Sequence, residues 1–317
     1  MRSRCLLTLV LVGVAFAANA REIVVVQGAD GEAEYGEIFD RLADQWEAAS
    51  ETAEADFRKL TSRDEVEALF AESDEAATGE RWLVLIGHGS YDGRVAKFNV
   101  EGPDFSDTEL AEWAKDFPRP LVVLNFSASS GSFVRALSGP ERVVVTATKS
   151  PGEMFYPRFG EYFSEVIGGR NPEADLDNDQ QVSLLEAFVY SAGQVTEFYE
   201  KEGRLATEHS LLDDNGDQLG TRPDWFDGVR ATRVAKDGAE PDGERAHQRV
   251  LLPNATESLM PEPLRERRDA LELQVSKLRR EKSEMAEDAY YQALEPLLRE
   301  IAEIYQEADA LVKPPSS

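Results

Sequence analysis

Residues 82–90 read Trp82-Leu83-Val84-Leu85-Ile86-Gly87-His88-Gly89-Ser90, and the fold turns on this stretch. Five successive apolar side chains leave no polar face. That pattern predicts a strand buried on both sides, as in a parallel sheet covered by helices. Similar runs lie at 22–28, closed by Gly28, at 121–125 and at 142–148, and 55–60 reads as a further strand. Helical spacing fills the intervals. Tyr35, Ile38, Phe39, Leu42 and Trp46 share one face over 34–50, and Val66, Leu69 and Phe70 do so over 63–72. Further helices are predicted over 107–117, opened by an Asp107 cap, over 132–138 and over 157–167. Strands alternating with helices imply right-handed crossovers and an α/β fold with a mainly parallel central sheet. Sites in such sheets lie outside the C-terminal strand ends, here residues 87–90, 125–132 and 146–150.

The chain opens Met1-Arg2-Ser3-Arg4, continues with an apolar run over 6–18 broken by Thr8 and Gly13, and reaches Ala18-Asn19-Ala20. A basic start, a short apolar stretch and a small-x-small exit predict a signal peptide over 1–20. The run falls short of the roughly 20 residues a membrane span needs. The expected location is secreted or periplasmic, with no membrane contact after cleavage. The one cysteine, Cys5, lies inside this segment. The processed chain would therefore have neither thiol nor disulfide, and an apolar core must hold it together. Sixty-one acidic against 34 basic residues give a net charge of −27, which loss of Arg2 and Arg4 would take to −29. That field repels nucleic acid and anionic membranes and favours solubility and cations. Most of the acidic residues read as solvated surface.

His88 sits at the tip of one predicted strand, with glycines on both sides that let other backbone approach. The next strand ends Leu124-Asn125-Phe126-Ser127-Ala128-Ser129-Ser130-Gly131-Ser132. On these two motifs, residues 22–220 resemble the legumain-type peptidases, relatives of the caspases, in which His-Gly follows one strand and Ala-Cys the next, with Ser-Gly shortly after. The resemblance implies a caspase/legumain-like sandwich. His88 and Gly89 match its catalytic His-Gly. Setting its Ser-Gly on Ser130-Gly131 places Ala128 at the nucleophile position, where no nucleophilic atom exists. Ser127 and Ser129 flank that position. Neighbours at a strand end aim in different directions, however, and a serine needs a placed base and an oxyanion hole. His88 is thus read first as a vestigial catalytic histidine, second as a structural one, third as the base for Ser127 or Ser129. His209 and His247 lie in polar segments and read as surface residues.

A second motif is Asp175-Leu176-Asp177-Asn178-Asp179-Gln180-Gln181-Val182-Ser183-Leu184-Leu185-Glu186. Asp175, Asp177, Asp179, Gln181, Ser183 and Glu186 supply oxygens at the spacing of an EF-hand calcium loop, with the glutamate at position twelve. Position six is Gln180 rather than glycine, and a left-handed conformation there costs about 1–2 kcal/mol. The competing reading is an Asp-rich turn capping the helix predicted over 183–202, with Ser183 or Asp179 as the cap. Residues 212–217 are also oxygen-dense, but Asn215-Gly216 favours a plain tight turn.

A linker or hairpin is predicted over 226–260, between an α/β domain at 21–225 and a helical appendage at 261–313. Leu264, Leu271, Leu278 and Met285 recur every seventh residue. Leu294, Leu297, Ile301, Ile304, Ala308 and Leu311 then alternate by three and four. Two coiled-coil-like helices follow, joined within the chain or between chains, with Pro296 breaking any single helix and expected in the first turn of the second. The leading functional expectation is an exported pseudopeptidase: a binding or scaffold protein with a degenerate cleft, a structural calcium ion and a protein or peptide partner, leaning away from enzyme. The alternatives are an active endopeptidase using His88 with a neighbouring serine, and a scaffold acting through its coiled coil.

Overall fold

The computed structural model describes residues 21–72, 79–169, 171–236 and 240–312; the predicted signal peptide, with Cys5, lies outside them. In chain order the elements are β1 Glu22–Gln27, α1 Ala33–Thr52, β2 Asp56–Leu60, α2 Arg63–Ala71, β3 Arg81–Ile86, β4 Gly89–Tyr91, β5 Ala96–Phe98, β6 Phe105–Ser106, α3 Asp107–Trp113, β7 Leu121–Asn125, α4 Gly131–Leu137, β8 Arg142–Thr146, α5 Phe159–Ile167, α6 Leu184–Lys201, β9 Leu211–Asp213, β10 Phe226–Asp227, β11 Arg230–Ala231, α7 Glu244–His247, α8 Ala255–Leu259, α9 Glu262–Glu281 and α10 Glu287–Val312. Among the described residues one sheet has six strands in the order β2-β1-β3-β7-β8-β9. The first five are parallel, and β9 closes the edge antiparallel to β8.

Alternation along each strand divides the core in two. Ile23, Val25, Trp82, Val84, Val122 and Leu124 pack with Phe39, Trp46, Phe163 and Phe188 from α1, α5 and α6. Val24, Val26, Leu83, Leu85 and Val123 pack with Val66, Leu69, Leu110 and Phe133 from α2, α3 and α4. Each such side chain, fully buried, contributes about 1.5–3 kcal/mol, so the two-sided sheet is the element the apolar runs most strongly encode. The α/β class with a mainly parallel sheet and a helical C-terminal appendage is as expected.

Several local expectations need correction. The cap of α3 is Ser106, whose Oγ accepts from Glu109 N while Glu109 accepts from Ser106 N, a reciprocal box that Asp107 cannot make from the first helical position. The helix also stops at Trp113 instead of 117. Two elements had no expectation in the sequence: Leu211–Asp213 forms β9, and 89–106 folds into a small antiparallel sheet β4-β5-β6.

The appendage is an antiparallel pair. Arg267 meets Glu300 at 2.7 Å, Arg268 meets Tyr305 at 2.9 Å, and Lys282 lies over Tyr290. Met260, Leu271, Ile304 and Ala308 form its buried seam. Pro296 lies well inside α10 instead of in its first turn. The chain turns earlier, through a 3-10 turn at Lys282–Glu284 and an extended Met285. Pro296 is exposed, so the carbonyl of Gln292 that loses its helical donor can be solvated. Gln248 donates to Asp269 O, and Arg280 pairs with Glu244, tying the appendage to α7. Among the described residues no helix is long and apolar enough to cross a membrane.

Candidate functional site

The loops after β3, β7 and β8 meet at the C-terminal edge of the sheet. A Cβ added to Gly89 would lie 2.0 Å from Ala128 O and 2.8 Å from Ser127 Oγ. One added to Gly131 would lie 2.3 Å from the carbonyl carbon of Lys149. Glycine at both positions is therefore a condition for the three loops to touch. His88 leaves the end of β3 and packs its ring against Tyr35, Phe39 and Tyr156, with centroids 4.6, 5.2 and 6.1 Å away. Its Nε2 lies 3.2 Å from Asp30 O, a geometry in which the ring N–H donates to the carbonyl. Burial raises the pKa of the Tyr156 phenol, which stays neutral beside it.

Ala128 is buried at the position facing this strand end. The flanking hydroxyls are engaged elsewhere or enclosed. Ser127 Oγ donates to Asn125 Oδ1 at 2.7 Å, and Ser127 N donates to the same oxygen at 3.0 Å. Ser129 adopts φ 57° and donates its N–H to Glu153 O at 2.8 Å. Its hydroxyl is fully buried and has no hydrogen-bond partner among the described residues. Ser130 pairs with Thr148 Oγ1. No serine of this loop hydrogen-bonds His88 in the described structure.

A second histidine stands at the same edge. His209 Nδ1 lies 2.6 Å from Glu153 Oε1, and Glu153 Oε2 also accepts from the backbone N–H groups of Lys149 and His209. Sequence reading placed His209 on the surface because its neighbours are polar; the fold half-buries it against a carboxylate 56 residues away, a contact no local pattern encodes. His247 is likewise half-buried. It bonds Asp177 Oδ2 at 3.0 Å, an interaction that lowers the Asp177 pKa.

In the Asp-rich loop, the carboxylates of Asp175, Asp177 and Asp179 converge, and Asp177 also groups with Glu186 and His247. Asp175 accepts from the backbone N–H groups of Asp179 and Gln180. Gln180 takes φ 72°, the left-handed conformation expected of position six. Gln181 bridges, donating to Asp179 Oδ2 and accepting from Asn254 N. Ser183 caps α6 in a reciprocal box with Glu186. Both Glu186 oxygens are engaged, Oε1 by Leu176 N and Asp177 N, Oε2 by Ser183 N and Oγ. Burial raises the pKa of both Glu186 and Asp179. The three aspartates are the part of the loop with the donor chemistry for a hard cation.

Residues 213–217 do more than turn the chain. Asp213, Asp214 and Asp242 are buried together. Asp242 Oδ1 accepts from the backbone of Asp214 and Asn215, and its Oδ2 accepts from Thr221 Oγ1 at 2.5 Å. Asp214 caps α7 through the N–H groups of Gly243 and Ala246. Burial, reinforced by Asp214, pushes Asp242 up to about 8, and burial pushes Asp213 up to about 6.

No family model matches the chain, and no curated protein matches it either. Among solved structures it is similar to the Drosophila initiator caspase Dronc, at 10% identity and a TM-score of 0.42, over 62% of this chain and 79% of that one. It is also similar to caspase-1 from Spodoptera frugiperda, at 8% identity and a TM-score of 0.38, over 62% and 86%. With both scores below 0.5, the likeness establishes neither family nor activity.

Proposed function

We propose that this chain is an exported pseudopeptidase of legumain-like type, in which a peptidase-shaped strand-end site serves binding. The observation that carries the reading is Ala128, set between two enclosed serines beside the tip that bears His88. Nucleophilic catalysis needs an ionisable atom within reach of its base. Ser127 Oγ is held by Asn125, the Ser129 hydroxyl is enclosed, and His88 is bonded to Asp30 O. The rim favours a peptide partner: Met154 and Phe155 are 62% and 70% exposed, next to the Tyr156 that touches His88. Extended apolar side chains of a partner could be gripped there without being cut.

A fluorogenic peptide library, incubated with purified protein with and without calcium, tests this. Turnover should not exceed that of His88→Ala in either condition. Cleavage that His88→Ala abolishes would establish the endopeptidase reading instead.

Calcium is proposed as a structural ion held by Asp175, Asp177 and Asp179, fixing the loop that precedes α6. If it binds the folded chain alone, calcium at a hundred times its Kd adds about 2.7 kcal/mol. The melting temperature should rise by several degrees on calcium titration in wild type and stay flat in Asp177→Ala. An equal rise in the variant would move the ion elsewhere.

A further inference from the structure

A cavity of about 740 Å³ opens between the β10-β11 hairpin, α7 and the α9-α10 pair, and none of its walls belongs to the β3 or β7 loops. Its floor is apolar and aromatic, with Val275 and Tyr290 both buried. Its acidic lining is matched within the chain. Asp242 is held by two backbone N–H groups and Thr221, Glu244 pairs with Arg280, and Glu272 accepts from Gln248. The basic lining is matched only in part, Arg280 by Glu244 and His247 by Asp177. The side chains of Arg230 and Arg279 have neither an ion pair nor a hydrogen bond among the described residues, and Lys282 lies over the rings of Tyr290 and Tyr291, 4.9 and 5.7 Å away.

Three cations without a carboxylate partner among the described residues therefore line one cavity of a chain whose net charge is −27. The volume falls in the range of small-molecule sites, which pair an apolar body with a few polar anchors. We infer that this cavity binds an amphipathic organic anion, its apolar body over Val275 and Tyr290 and its carboxylate at Arg230, Arg279 and Lys282. Charge selects the head group, because an arginine without an internal partner presents its planar fork to an incoming carboxylate. The cavity exists only because the appendage folds back on α7, which gives the helical pair a role apart from the strand-end site.

Dodecanoate is the probe, measured by titration calorimetry on the full chain, with dodecyltrimethylammonium as the cation of equal tail. Dodecanoate should bind saturably at one site per chain, and the ammonium compound should not bind. Arg230→Glu combined with Arg279→Glu replaces exposed side chains that make no hydrogen bond or ion pair of their own among the described residues and should weaken dodecanoate at least tenfold while the protein stays folded. Val275→Trp should abolish binding by filling the floor. Equal binding of the two amphiphiles, unchanged affinity in the charge-reversed variant, or no saturable binding would each overturn the proposal. So would binding of an acidic peptide but not dodecanoate.

Discussion

Gly89→Ala should destabilise the protein by about 3 kcal/mol or more, at the upper end of overpacking costs. The reason is where the new atom would go. Its Cβ would sit 2.0 Å from the Ala128 carbonyl oxygen and 3.0 Å from its carbonyl carbon. Both are backbone atoms, so no side-chain rotation relieves the clash. Either the β7 loop moves off the tip of β3 or β3 itself shifts, and β3 is paired on both sides, with β1 and β7. Urea denaturation of wild type and variant reads the loss directly. A cost under about 0.5 kcal/mol, within the range of ordinary surface substitutions, would mean that the two strand ends do not touch and that the site is not assembled as described.

The second large effect is a fall of stability with rising pH that traces to Asp242. Its carboxyl is pushed up to about 8 when folded, by burial first and the neighbouring Asp214 second. In the unfolded chain it returns to about 3.9. Between those values the folded chain keeps a proton that the unfolded chain gives up, so this contribution is whole below about pH 4 and is lost progressively as pH rises towards 8. The scale is several kcal/mol, shared with Asp214. Asp242→Asn keeps the geometry: its amide oxygen can accept from Asp214 N and Asn215 N, and its NH₂ can donate to Thr221 Oγ1. The variant should be more stable than wild type at pH 7.5, and its melting temperature should vary less between pH 5 and 8. A variant with the wild-type pH slope, or one less stable at pH 7.5, would show that Asp242 is ionised in the folded state and compensated by its donors.

The sheet was legible because burial on both faces writes itself as unbroken apolar runs, so β1, β3, β7 and β8 could be located from composition alone. β9 could not. It is three residues long, ends in the buried Asp213, and owes its place to pairing with Val144–Thr146 rather than to any pattern of its own. Pro296 misled for a related reason: proline penalises a helix interior, but an exposed position with a solvated carbonyl lowers the penalty, and the seam of Leu271, Ile304 and Ala308 holds the helix through it. At the site, His88 and Ala128 followed from strand-end position. The contacts that define their state did not. Asp30 O is 58 residues from His88, and the Glu153–His209 pair spans 56; such contacts depend on loop closure and leave no local periodicity. The paired carboxylates at 213–214 and 242 escaped notice because acidic residues in a highly acidic chain read as solvated until burial is known.

The central claim is that no activated nucleophile remains beside His88, and fluorophosphonate labelling tests it most directly. Such reagents phosphonylate serines whose hydroxyl is activated by a base, the serine oxygen bonding to phosphorus as fluoride leaves. Purified protein, treated with a fluorophosphonate and digested for mass spectrometry, should carry no adduct on the peptide containing Ser127, Ser129 and Ser130. An adduct on Ser127 or Ser129 that disappears in His88→Ala would contradict the account and identify a working serine peptidase.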